Sequence, residues 1–77
     1  MADPLQQRYL DLLFERIRGD RYPSPQLLDR IEISLWSHDQ LTEYVAVLLE
    51  KIDESWYPSS QMLDRVNRML YRVAVAT

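Results

Sequence analysis

The sequence predicts an all-α fold of two tandem helix-turn-helix hairpins, packed as a four-helix bundle with internal pseudo-twofold symmetry. Three observations predict it. The chain repeats itself: Tyr9 to Trp36 aligns without a gap onto Tyr44 to Tyr71, thirty-five residues on, with twelve of twenty-eight pairs identical. Unrelated sequence would give roughly two. Apolar residues recur at helical spacing throughout, and no stretch alternates with the period of two that a half-buried strand needs. Serines and prolines stand where helices start, Tyr22-Pro23-Ser24 returning as Tyr57-Pro58-Ser59. One helical domain spanning 1–77 is expected, with repeat one at about 4–36 and repeat two at about 38–75.

The helices follow in order. Asp3 is a good N-cap, with Pro4 at the first helical position and Gln6 at the third, so helix one runs from about Pro4 to Arg18. Gly19, the one glycine, is placed to end it in a left-handed conformation. Ser24 caps helix two with Pro25 behind it, and Ser59 caps helix four. Ser37-His38-Asp39-Gln40 reads as a capping box for helix three, with Trp36 and Leu41 set for a hydrophobic staple. Trp36 and Trp56 close helices two and three. The tetratricopeptide repeat has a similar length, but aligning Pro58 with its proline puts Arg30, Ser34 and Ser37 where its large, small and aromatic residues belong.

The helix faces are unequal. Leu5, Tyr9, Leu10, Leu12, Leu13, Phe14 and Ile17 spread over roughly 200° of helix one, and Leu41, Tyr44, Val45, Val47, Leu48, Leu49 and Ile52 do the same on helix three. Helices two and four are narrower. Their expected cores are Leu27, Leu28, Ile31 and Leu35, and Met62, Leu63, Val66, Leu70 and Val73. The surplus positions on helices one and three are Leu10, Leu12 and Phe14 with Val45, Val47 and Leu49, which points to a partner or homodimer interface. A compact monomer is the competing reading. A 77-residue chain has a small core, which favours self-association.

Composition narrows the chemistry. With no cysteine there is no disulfide, no thiolate nucleophile and none of the usual structural zinc sites. The longest apolar run, Tyr44 to Leu49, is too short to span a bilayer, and Met1-Ala2-Asp3-Pro4 does not begin a signal peptide, so a cytoplasmic protein with no membrane partner is expected. Twelve acids against nine bases, net charge -3, argue against nucleic acid as the main partner. A single glycine excludes a phosphate-cradling loop, and no small-molecule ligand, cofactor or metal is implied.

Candidate sites are few. Arg21, Tyr22, Trp56 and Tyr57 would form a patch at the turn end of a bundle, although proline, serine and tyrosine there also serve the turn itself. Arg65, Arg68 and Arg72 make a stripe that could meet an anionic partner, which gives the alternative of a small nucleic-acid-associated regulator. Against it, arginines in the last turns oppose the helix dipole and flank the core with their stems. Asp29-Arg30 and Asp64-Arg65, with Gln26 and Gln61, are repeated polar residues suited to hydrogen bonds beside the core. Glu15, Glu50 and His38 assemble no acid/base or nucleophile set, so no enzyme is expected. The expected function is a non-catalytic protein-interaction, adaptor or regulatory module acting through helix surfaces.

The phrase Tyr22-Pro23-Ser24 followed by Leu28-Asp29-Arg30-Ile31-Glu32, and preceded by Tyr9-Leu10-Asp11-Leu12-Leu13, resembles one in short uncharacterised helical proteins of actinobacteria and their phages. The resemblance covers most of copy one and, more loosely, copy two. It implies a capped helical hairpin and no activity.

Overall fold

The computed structural model describes residues 4–55 and 59–76. It contains four helices: α1 (Pro4–Gly19), α2 (Pro25–Ile33), α3 (His38–Glu54) and α4 (Ser60–Ala76). Two compact units divide the chain, Met1–Ser37 and His38–Thr77, each holding one hairpin.

In the first unit α1 opens on Pro4, where a missing N–H costs nothing because the first turn has no intrahelical acceptor for it. The expected cap at Asp3 lies outside the described residues. Arg16 and Arg18 occupy the last turn, where positive charge suits the carbonyl end of the helix. Gly19 does not take the left-handed conformation that its position suggests. Instead the Asp20 N–H donates to both the Arg16 and Ile17 carbonyls, at 3.1 and 3.2 Å, so the final turn tightens without a change of hand. Arg16 Nε also lies 3.6 Å from the Asp20 carboxylate.

The start of α2 is as the sequence predicts. Ser24 is extended, at φ -70° and ψ 145°, and its Oγ accepts from the Leu27 N–H at 3.1 Å, with Pro25 directly behind. Its end is not. The helix stops at Ile33, three residues before Trp36: the Ser34 N–H donates to Ile31 O at 2.9 Å in place of the fourth carbonyl back, and its Oγ donates to Arg30 O at 2.8 Å. Gln6 Nε2 then donates to Ser34 O at 2.6 Å, tying the first turn of α1 to the end of α2. Leu10, Phe14, Ile17, Leu28 and Ile31 are the buried apolar residues of this hairpin, while Leu27 and Leu35 are half-buried.

In the second unit α3 begins immediately after Ser37, where the capping sequence places it, and Thr42 Oγ1 donates to His38 O at 2.9 Å. It closes with Ser55 N–H donating to Ile52 O at 3.1 Å. Trp56, expected at this end, lies outside the described residues. Ser59 repeats the cap, its Oγ accepting from the Met62 N–H at 3.1 Å. From there α4 runs seventeen residues against nine for α2. Copy two carries Met69 where copy one carries Ser34, and the helix formers Met69, Leu70 and Arg72 give the backbone no competing bond.

Gln40, Leu41, Tyr44, Val45, Val47, Leu48 and Lys51 of α3 are buried, as are Arg65, Val66 and Met69 of α4. The core of α4 therefore differs from the expected one: Leu63 and Leu70 are exposed and Met69 takes an inner place. Buried Lys51 pairs its ammonium with the exposed Glu54 carboxylate, 3.4 Å away.

Candidate interaction surfaces

The six residues expected to form an interface fall into two classes. Leu10, Phe14, Val45 and Val47 are buried and present no surface. Leu12 and Leu49 stay half open, at 50% and 48% of full exposure. These two are not repeat equivalents: Leu12 aligns with buried Val47, and Leu49 with buried Phe14. At 100° per residue Leu12 lies on the face of α1 opposite buried Leu10, Phe14 and Ile17, whereas Leu49 lies at the edge of the buried arc of α3.

The first hairpin has a shallow open groove of about 570 Å³ lined by Tyr9, Gln26, Asp29, Arg30, Ile33 and Ser34. The groove follows one face of α2 from Gln26 in its first turn to Ser34 beyond its end, with Tyr9 of α1 beside it, and the Gln6–Ser34 bond joins the two helices at one end. Ile33 is the most open large apolar residue described, at 82%, and Leu5 and Trp36 are also largely exposed. The groove has an apolar part in Tyr9 and Ile33 and polar walls that include one acid and one base. Gln26, Asp29 and Arg30, the repeated polar residues of copy one, are exposed around it rather than packed beside the core.

The remaining candidates are spread out. Arg21 and Tyr22 are exposed in the first turn with the guanidinium 5.7 Å from the ring centroid, a cation–π contact within the turn. Trp56 and Tyr57, the other half of that patch, lie outside the described residues. Of the arginine stripe, Arg68 and Arg72 are exposed and Arg65 is buried; Arg72 Nη1 lies 3.7 Å from Met69 Sδ. Glu15, Glu50 and His38 are all exposed. Among the described residues no three His, Asp or Glu side chains come together in a way that could hold a metal ion, and no helix is long and apolar enough to cross a membrane.

The chain matches no protein-family model, no curated protein and no solved structure.

What the sequence missed is on α4. Leu63 and Leu70 read as core, yet they are 42% and 46% exposed, and Tyr71 and Val75 are more open still. The wheel contained the signal in the stretch past residue 68: Leu70, Tyr71, Ala74 and Val75 give that turn apolar residues on more than one face.

Proposed function

We propose that this protein is a non-catalytic interaction module that works through helix surfaces and associates with itself. One observation carries the reading: large apolar side chains stand open on every helix, including Leu5 and Leu12 of α1, Ile33 of α2, Leu49 of α3, and Leu63 and Leu70 of α4. Single exposed apolar residues are ordinary on a soluble surface. Their recurrence on all four helices of so short a chain supports a protein partner over a reacting substrate. The same proposal includes the bundle arrangement of the two hairpins with pseudo-twofold symmetry, supported by the sequence repeat, and a cytoplasmic setting.

Sedimentation equilibrium of the full chain tests the reading. The expected species is a dimer of twice the 9.2 kDa chain mass, growing in as concentration rises from about 5 to about 500 μM. A mass of 9.2 kDa across that range overturns self-association. The alternative of a nucleic-acid-associated regulator rests on exposed Arg68 and Arg72, and predicts salt-dependent duplex binding that Arg68→Ala weakens.

A further inference from the structure

Helix α4 carries two helix-packing seams side by side. Met62, Val66, Met69 and Val73 follow the 4-3-4 spacing with which one helix interlocks with another. Val66 and Met69 are buried and Met62 and Val73 half-buried, so the protein uses this seam itself. Leu63, Asn67, Leu70 and Ala74 follow the same spacing one residue on, roughly 100° round the helix. All four of these are exposed.

We infer that a second copy of this chain docks along this outer seam, α4 against α4, parallel and in register about a two-fold axis. The inference deepens the self-association reading and rests on it. Asn67 identifies the occupant. An amide in the middle of an otherwise apolar seam is costly to cover unless its donors and acceptor meet a partner at the same level. A second copy in parallel register supplies an identical amide at that level, and one Asn at such a position fixes register and two-strandedness. Antiparallel pairing sets Asn67 opposite Leu63 or Leu70 and leaves the amide unpaired. No charge lies in the seam, and the pairs flanking it in the parallel arrangement are Ser59 with Asp64 and Val66 with Tyr71, so no like charges oppose each other.

The cysteine-free chain permits a direct test. In the parallel arrangement, Ala74→Cys puts two thiols at one level, within the roughly 4.4–6.8 Å Cα separation that a disulfide spans. An antiparallel pair centred between Asn67 and Leu70 would separate them by about 16 Å along the axis. The full chain at about 100 μM is oxidised with glutathione disulfide, with Glu43→Cys as an exposed control on α3 and Leu12→Cys as a probe of α1. Millimolar effective concentration within a dimer makes the Ala74→Cys disulfide form about tenfold faster than the control. Adding Leu70→Glu returns the rate to the control level with unchanged circular dichroism, since Leu70 is exposed in the single chain. A wild-type dimer whose Ala74→Cys form links no faster than the control overturns the α4 seam and leaves self-association standing. Faster linking of Leu12→Cys also overturns the seam, and places the interface on α1. A wild-type chain that sediments as a monomer overturns both readings.

Discussion

The two hairpins come from one repeated sequence and differ most where the repeat ends. Both begin their second helix on a serine whose Oγ accepts the N–H three residues on, at 3.1 Å in each. Beyond that point they part. Hairpin one has a nine-residue α2 that ends at Ile33 and an open groove along that helix. Hairpin two has a seventeen-residue α4 that contacts its neighbour far more extensively and carries a second apolar stripe outward. One position marks where they separate: Ser34 stands just past the end of α2, and its equivalent Met69 is buried inside a helix that continues. Repetition specified how each helix starts, and divergence after the start shaped the surface each hairpin offers.

The sharpest test of the difference compares residues that are equivalent in sequence and unlike in place. Phe14 is buried and its counterpart Leu49 is half exposed. Phe14→Ala should destabilise by about 3–5 kcal/mol, enough to unfold a domain of this size, whereas Leu49→Ala should cost under about 1 kcal/mol. Urea denaturation followed by circular dichroism reads both, and equal losses would erase the asymmetry. The caps set the opposite expectation. Ser24→Ala and Ser59→Ala should each cost about 1 kcal/mol in the same measurement, because the hydrogen bond removed is the same in both hairpins. A difference well beyond that figure would mean that the starts diverge as well. The smallest effect concerns Gly19, whose φ is not positive and beside which an added Cβ meets nothing within 4 Å. Gly19→Ala should stabilise by about 0.5 kcal/mol, through the lower conformational freedom of the unfolded chain. A loss of stability would show that the end of α1 needs glycine after all.

Helix starts were legible in the sequence because they depend on residues within three positions of each other: serine, proline and the N–H that the serine satisfies. The end of α1 was legible in place but not in geometry, since Asp20 closes it with two ordinary carbonyl bonds where a left-handed glycine would also have served. The end of α2 was misread because Ser34 looks like one more position in an apolar-periodic stretch until its two bonds to the preceding turn are seen. Wheel width was the least reliable guide. An apolar arc states how much of a helix could be covered and not which edge is covered, so Phe14 and Leu12 on α1, or Met69 and Leu70 on α4, could not be separated. The α4 stripe was missed for that reason, although every residue in it was visible.

The amide of Gln6 joins residues twenty-eight positions apart at the mouth of the first hairpin. Seen mechanically, it is a clasp at the free end of a two-arm lever whose hinge is the Tyr-Pro-Ser turn. If the arms are drawn apart from that end, load falls on this one bond before it reaches Leu10, Phe14 or Ile31 deeper between them. Fraying of hairpin one therefore begins at the end where Gln6 meets Ser34.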